Sequence, residues 1–355
     1  MKLLVTGICG FAGSALALEL QVRLEGLEIL GIDNLSRPGS ELNRQRLKGR
    51  GIRFLHGDIR NPSDLESLPK VDWVIDAAAN PSVLAGITGQ TSSRQLMEHN
   101  LGGTLHLLEY CKRHQTGLVM LSTSRVYALE PLAALPVEVR DDAFVPQFSR
   151  PSQPGLSEAG VSEDFSTRPP ISLYGAAKLA SELLILEYAR AFDFPVHVNR
   201  CGVLAGAGQF GKPDQGIFAF WIHSWCHKRP LKYIGFAGTG RQVRDCLHPR
   251  DLATLIADQL RQPSKGGKVL NVSGGIANSM SLAQLSRWCA NRFGLREVAA
   301  DTAMRPYDVP WLVLDSTRVT AEWNWRPQTQ FENILEELAR HAVEYPEWLD
   351  LSSDT

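Results

Sequence analysis

The chain lacks any apolar run near the roughly 20 residues that a membrane-spanning helix requires, so no span and no membrane partner are expected. It lacks a CxxC pair as well: Cys9, Cys111, Cys201, Cys226, Cys246 and Cys289 are scattered. Reduced thiols in a cytoplasmic protein are therefore the expectation. Charge of one sign is not in excess. Lys and Arg number 37 against 38 Asp and Glu, a net charge of −1. That balance gives no global field for a nucleic-acid polymer or an anionic membrane. An anionic substrate would have to be caught by a few local arginines. No repeat at solenoid spacing is found. Lys2 is followed at once by the strand-like Leu3-Leu4-Val5, so no signal peptide is expected. His223 and His227 lie four apart on a helical stretch, a spacing that suits zinc, but no third ligand or carboxylate motif accompanies them, and no metal is expected.

What is present is 355 residues, 44% apolar and 21% charged, enough for a large α/β unit with a smaller lobe. Strand-like runs at Lys2–Thr6, Leu27–Asp33, Arg53–Gly57, Trp73–Ala77 and Gly117–Ser122 alternate with helical patterns at Phe11–Arg23, Asn100–Arg113 and Gly175–Phe192. This alternation predicts an α/β fold, a Rossmann-type doubly wound parallel sheet. Pro131–Pro170 carries seven prolines and no sustained period, which suggests a functional flap or a subunit contact. Beyond Arg200 come the glycine-rich Gly202–Gly216 and an aromatic helical stretch, Ile217–His227. The expected organisation is a dinucleotide-binding domain over 1–200, rejoined by about 247–278 through a helix at Pro249–Gln262 and a strand at Lys268–Val272. A discontinuous substrate lobe then takes 201–246 and 279–355, with Trp311, Trp323 and Trp325 packing inside it.

Thr6-Gly7-Ile8-Cys9-Gly10-Phe11-Ala12-Gly13 lies between the first strand and the first helix. Gly7 permits a tight turn, Gly10 a close approach to a pyrophosphate, and Gly13 close packing of helix on strand. The helix start at Phe11 and Ala12 offers free N–H groups and a positive dipole end. The spacing GxxGxxG differs from the GxGxxG fingerprint, but its place after the opening strand supplies the context. Asp33 follows Gly13 by twenty residues, where a carboxylate accepts the ribose hydroxyls. It would repel a 2′-phosphate, so NAD is favoured over NADP. Arg37 is a contrary signal. Asn34, Ser36 and Arg37 are further cofactor candidates. Asp58-Ile59 closes the third strand near the expected adenine, and Ala77-Ala78-Ala79 closes the fourth, where small residues let a dinucleotide cross. Cys9 and Cys201 are expected in the cofactor channel as small apolar groups.

Tyr174-Gly175-Ala176-Ala177-Lys178 places a phenol and an ammonium one turn apart on a helix. A nearby ammonium and a positive nicotinamide both favour phenolate, which makes Tyr174 a general base. Lys178 has a second use as donor to the nicotinamide ribose. Ser122-Thr123-Ser124-Arg125-Val126-Tyr127 ends the fifth strand, where sheet ligands gather. A hydroxyl there shares the hydrogen bond to the alcohol that Tyr174 deprotonates.

In order and spacing these motifs resemble those of the extended short-chain dehydrogenases/reductases. The resemblance implies that Thr123, Tyr174 and Lys178 are catalytic, that Ser122 joins the cofactor site, and that Asn100 opens the long helix beneath the nicotinamide. It also implies a homodimer or homotetramer through the helices at Asn100 and Tyr174. Asp33-Asn34-Leu35-Ser36-Arg37, His56-Gly57-Asp58-Ile59-Arg60-Asn61, Gln209-Phe210 with Asp214-Gln215-Gly216, Gly240-Arg241-Gln242-Val243-Arg244-Asp245 and Asn271-Val272-Ser273-Gly274-Gly275 are similar to the CDP-paratose 2-epimerase (CDP-tyvelose epimerase) branch. Ala205-Gly206 and Gly208 depart from it, standing where that branch commonly shows a tyrosine-glycine step and an arginine. A 4,6-dehydratase resembling this family would carry Asp-Glu after the threonine. Here Ser124-Arg125 follow, which disfavours elimination. Arg305-Pro306-Tyr307-Asp308 resembles the late Arg-x-x-Asp diphosphate element, and Arg241, Arg244 and Arg305 are diphosphate candidates. The substrate set is then Asn80, Ser82, Thr123, Ser124, Arg125, Gln209, Gln215, Arg244, Arg305 and Asp308. The implied activity is NAD-dependent epimerisation of a CDP- or UDP-hexose, at C2 on the branch resemblance. A UDP-hexose 4-epimerase, a nucleotide-sugar dehydrogenase and a catalytically idle NAD-binding regulator are the alternatives.

Overall fold

A computed structural model describes residues 1–87, 92–148, 153–263 and 267–351. Its centre is a parallel sheet of β1 (Lys2–Thr6), β2 (Glu28–Asp33), β3 (Arg53–His56), β4 (Trp73–Asp76), β5 (Gly117–Thr123), β6 (Val196–Cys201) and β7 (Val269–Val272). The strand order is β7-β6-β5-β4-β1-β2-β3. The order reverses between β1 and β4, and the crevice beyond those strand ends is where an open α/β sheet receives its ligand. This is the predicted Rossmann-type fold.

Strands buried on both faces read as unbroken apolar runs, and alternate side chains divide between two cores. Leu3, Val5, Ile75 and Val119 pack with Leu16 and Leu20 of the Phe11–Arg23 helix and with Leu252 and Ile256 of the Pro249–Arg261 helix. Leu4, Val74, Leu118 and Met120 point the other way, onto Leu107, Leu108 and Ile185. Each fully buried leucine contributes about 1.5–3 kcal/mol.

The helix expected from Asn100 starts earlier. Ser92 and Gln95 form a capping box at Ser93–Met97, a π turn covers Glu98–Gly102, and an α-helix continues over Gly103–His114. Asn100 therefore lies within the helical run and does not open it.

Val203–Leu204, Val243–Leu247, Ser279–Ser281 and Trp311–Leu312 form a smaller sheet. Phe218, Trp221, Ile222, Leu285, Ile334 and Leu338 build a separate core beside it. The tryptophans do not share that core. Trp325 belongs with the Leu3–Val5 cluster and donates to Asp251 O at 2.9 Å, Trp323 sits edge-on to His197, and Trp311 packs with the insert.

That insert is folded onto its own chain. Val137–Arg140 pairs with Ala143–Pro146, and Leu156–Ser157 with Gly160–Val161. Phe144 N donates to Arg241 O at 2.9 Å and Val161 N to Val313 O at 2.8 Å. Arg287 meets Asp141 and Asp142. The apolar residues Leu132, Leu135, Val161 and Phe165 share a cluster with Trp311 and Val313, so the described part is held down as an integral layer. Among the described residues no helix is long and apolar enough to cross a membrane.

One buried ion pair ties the Leu173–Phe192 helix to β6. Arg200 Nη2 meets Glu182 Oε2 at 2.6 Å, and the side chains are 7% and 2% exposed. Removing one partner strands the other charge in the core. Arg200→Met is predicted to lower stability by about 3–5 kcal/mol, read by urea unfolding. Adding Glu182→Leu should return most of that loss. A single variant as stable as the parent would contradict the assignment.

Candidate active site

The crevice is floored by backbone in close contact. Gly7 has φ +61°, and a Cβ there would lie 2.8 Å from Ala78 Cα and 2.9 Å from Ala77 O. A Cβ on Gly13 would lie 2.3 Å from Gly7 O. These are cradle positions that only glycine fills. The helix that follows starts at Phe11 with no side-chain cap from Gly10, so the first-turn N–H groups of Phe11, Ala12 and Gly13 are available to an anion.

Asp33 stands over this loop. Its Oδ2 accepts Cys9 N at 2.9 Å and its Oδ1 accepts Leu35 N at 2.8 Å. Burial raises its pKa, and these N–H groups oppose the rise. Each oxygen keeps a further acceptor position for a hydroxyl. Beyond β2 and β3 lies a cavity of about 400 Å³ lined by Asn34, Ser36, His56, Asp58, Arg60 and Asp64. Asn34 Nδ2 donates to Asp58 Oδ2 at 2.9 Å, and Arg60 also pairs with Asp58. Burial works against the Asp58 charge, but the Arg60 and Asn34 hydrogen bonds hold its pKa well below the usual range. Ile59 turns under the long helix, where its carbonyl meets His106 Nδ1 at 2.9 Å. Arg37 does not face Asp33's free edge. Its guanidinium donates to Phe210 O at 2.7 Å and to Gln215, which commits this arginine to the second lobe.

At the other end of the crevice, Ser172 Oγ caps the Leu173–Phe192 helix by accepting Gly175 N at 3.0 Å. Tyr174 and Lys178 then fall one turn apart, 7% and 3% exposed. The Thr123 hydroxyl stands near enough to the phenol to act on its pKa. Burial pushes Tyr174 up to about 12, opposed by Thr123 and by the Arg125 charge. Lys178 Nζ donates to Leu121 O at 3.1 Å, and burial lowers its pKa. Arg125 is thus a cation that favours the Tyr174 phenolate and that the sequence did not point to for this role.

Ser122 is also corrected. Side chains alternate along a strand, so Ser122 faces away from Thr123's crevice and donates to Glu182 in the core. Asn100 works through backbone: its Oδ1 accepts Asn80 N at 2.8 Å and its Nδ2 donates to Asn80 O at 3.0 Å. That clamps the loop beyond Ala77-Ala78-Ala79, and π turns recur at functional sites. Cys9 and Cys201 are buried thiols, each pushed up to about 12 chiefly by burial. They are inert at neutral pH.

Arg125, after β5, is the arginine that acts on the phenol, and Arg244 and Arg305 act on Arg125 in turn. Arg125 Nη1 donates to Tyr307 O at 3.3 Å. Arg244 Nη2 donates to Asp308 Oδ1 at 2.7 Å, and Gln242 Nε2 to Asp308 Oδ2 at 3.2 Å. Arg305 Nη2 donates to Pro213 O at 3.1 Å. Burial, with repulsion from Arg244, lowers Arg125 to about 10, and Arg244 is lowered likewise. Three guanidiniums against the Asp308 carboxylate leave a positive surplus that suits a diphosphate. Ser124 lines a small pocket with Ser172 and Tyr307. Ser82 donates to Asp214, and Gln209 Nε2 donates to Leu204 O at 2.6 Å, which leaves the glutamine a second N–H. His223 faces His341 and His227 faces Ala342 O. Among the described residues no group of three His, Cys, Asp or Glu side chains is placed to hold a metal. Sequence reasoning gave no role to Arg60, Asp214 or Tyr307, although all three stood inside motifs already noted.

Residues 3–273 match the NAD dependent epimerase/dehydratase family. The chain belongs to that family. A CDP-paratose 2-epimerase of Salmonella typhi is 31% identical over 353 residues, covering 95% of this chain and 98% of that protein. The UDP-glucose 4-epimerase of Thermus thermophilus, solved with NAD, superposes with a TM-score of 0.76 at 25% identity, covering 97% of this chain and 99% of that one. The dTDP-glucose 4,6-dehydratase DesIV of Streptomyces venezuelae, a double mutant with NAD bound, shares the fold at a TM-score of 0.80 and 24% identity, over 99% and 100% of the two chains.

The family's NAD fits the residues present. The glycine cradle and helix start suit its pyrophosphate, and the Asp33 carboxylate suits a ribose diol. Bound NAD⁺ supplies a reversible hydride acceptor. At the end of the crevice the Thr123 hydroxyl and the Tyr174 phenol offer an alcohol a donor and an acceptor. Tyr174→Phe should leave NAD binding intact and lower turnover at least about a hundredfold, the scale of a positioned base. Turnover close to the parent's would remove Tyr174 from the chemistry.

Proposed function

We propose that the protein interconverts the C2 epimers of a CDP-linked sugar, CDP-paratose and CDP-tyvelose, using NAD that is reduced and reoxidised within one turnover. The observation that carries this is the pairing of Thr123 with Tyr174 beside Ser124-Arg125, where a dehydratase would need two carboxylates. Without that acid and base, a transiently formed keto-sugar has no help in losing water. Likeness to the Salmonella CDP-paratose 2-epimerase along almost its whole length supports C2.

In this reading Gly7, Gly10, Gly13, Asp33, Asn34, Ser36 and Asp58 hold the cofactor, and Lys178 donates to its nicotinamide ribose. Thr123 and Tyr174 act on the sugar alcohol. Arg244, Arg305 and Arg125 anchor the diphosphate end while the sugar turns its other face. Residues 201–246 with 279–355 act as the substrate lobe. The chain works as a homodimer or homotetramer through its two long helices, on which Leu105 and Leu183 are 39% and 60% exposed. Sedimentation as a monomer at micromolar concentration would contradict that assembly.

The test is incubation with CDP-, UDP- and dTDP-hexoses without added cofactor, followed by NMR. CDP-paratose deuterated at C2 should give CDP-tyvelose that keeps its deuterium. Hydrogen from solvent at C2 would sink the redox mechanism. A product altered only at C4 would instead favour a 4-epimerase and sink the choice of carbon.

A further inference from the structure

We propose that Asp76 is a positioning residue, a buried counter-charge that keeps Lys178 protonated inside the site. The inference rests on the reading of Lys178 as the donor to the cofactor's ribose. Asp76 ends β4, and alternation puts it on the same face as Val74, toward Leu107, Leu118 and Ile185. It is 1% exposed. A carboxylate in such surroundings is costly unless its charge is compensated.

The compensation within reach is narrow. From β1, Thr6 Oγ1 donates to Asp76 Oδ1 at 2.8 Å and itself accepts the Ala78 N–H at 3.1 Å. Both groups are neutral. From the Gly103–His114 helix comes the Cys111 thiol, which burial keeps protonated. In register Asp76 stands beside Met120 of β5, and Lys178 of the Leu173–Phe192 helix donates to the next carbonyl, Leu121 O, at 3.1 Å; burial raises the Asp76 pKa, and the Lys178 charge is the chief influence against that rise. The other buried cation of this core, Arg200, is committed to Glu182 through both carboxylate oxygens.

The surroundings of Lys178 give the same answer from the other side. Its hydrogen bond goes to Leu121 O on β5, a neutral acceptor. Cys201 on β6 is a suppressed thiol. Glu182, one turn along its own helix, already serves Arg200 and Ser122. Asp76 on β4 is therefore the carboxylate whose charge is left for Lys178. Burial lowers the lysine's pKa, and Asp76 is the largest influence in the opposite direction. With water excluded, such a pair interacts strongly without touching.

The sign of the consequence follows. Lys178 donates only when charged, and it loses its proton as pH rises through its pKa. Removing the Asp76 charge lowers that pKa further, so the loss moves to lower pH. Asp76→Asn keeps an oxygen for Thr6 and deletes only the charge. The experiment is NAD titration, followed by tryptophan fluorescence, across pH for the parent, Asp76→Asn and Asp76→Glu. Parent affinity should fall on the alkaline side, and the fall should begin about one pH unit lower in Asp76→Asn, with Asp76→Glu restoring the parent profile. Superimposed profiles for folded parent and Asp76→Asn overturn the inference. A parent profile without any alkaline fall removes Lys178 from cofactor binding, and the inference goes with it. Should Asp76→Asn fail to fold, Asp76→Asn/Lys178→Met decides: recovered folding supports the charge pairing, and continued failure makes Asp76 a purely structural residue.

Discussion

Glu182 and Arg200 meet in a core that excludes water, and the register of the catalytic side chains depends on their meeting. Arg200 Nε reaches Glu182 Oε1 at 3.0 Å while Nη2 takes the other oxygen at 2.6 Å. Ser122 donates to the same carboxylate, and Arg200 Nη1 donates to the Tyr127 hydroxyl at 3.2 Å. Tyr127 in turn donates to Asn271 Oδ1 at 2.6 Å, and Asn271 Nδ2 to Val161 O at 2.8 Å in the insert. A buried pair is weak evidence of net stability, because desolvation cancels much of the attraction. Its value here is geometric. Glu182 lies one turn beyond Lys178 and two beyond Tyr174 on one helix face. Ser122 is the neighbour of Thr123. Locking Glu182 to Ser122 therefore fixes which turn of the helix stands opposite the end of β5.

Much of this frame was legible in the sequence because it rests on periodicity and on glycine. The unbroken apolar runs at Leu3-Leu4-Val5 and Leu118–Leu121 identify strands covered on both faces. Gly7 and Gly13 are required by contacts below 3 Å, which any side chain would violate. The YxxxK spacing fixes a shared helix face wherever the helix packs. Other features leave no such trace. The π turn at Glu98–Gly102 has no period of its own, so Asn100 read as a helix start. Ser122 and Thr123 are adjacent hydroxyls, and only the pairing of β5 with its neighbours decides which faces the crevice. The tryptophans near the C-terminus announce burial without saying in which core. The insert's strands run four residues or fewer, with prolines among them, and are held by distant partners such as Arg241 and Val313.

The substrate end shows a second limit of sequence reading. Several residues expected to meet a ligand satisfy one another in the ligand-free chain: Ser82 with Asp214, Arg37 with Gln215, Arg244 with Asp308. A buried polar group without a partner costs more than a made bond gains, so such pairing is what an open polar cleft must do. A ligand then wins only by exchanging these bonds for better ones. A diphosphate offers that where Arg125 and Arg244 share the Asp308 carboxylate and Arg305 stands near them. An uncharged sugar offers little there.

The same economy of charge extends to the chemistry. Burial holds the Tyr174 phenol in its neutral form and works against the Lys178 ammonium. A base of this kind is latent: it needs positive charge brought close before it can take a proton near neutrality. Of the fixed cations Arg125 supplies part of that charge, while Lys178 stands one helical turn from the phenol. On each a carboxylate works against the cost of burial, Asp308 on Arg125 and Asp76 on Lys178. The remaining positive charge must arrive with the cofactor, whose oxidised nicotinamide ring is cationic. In the proposed reaction, proton removal by Tyr174 is thereby tied to the presence of the oxidant.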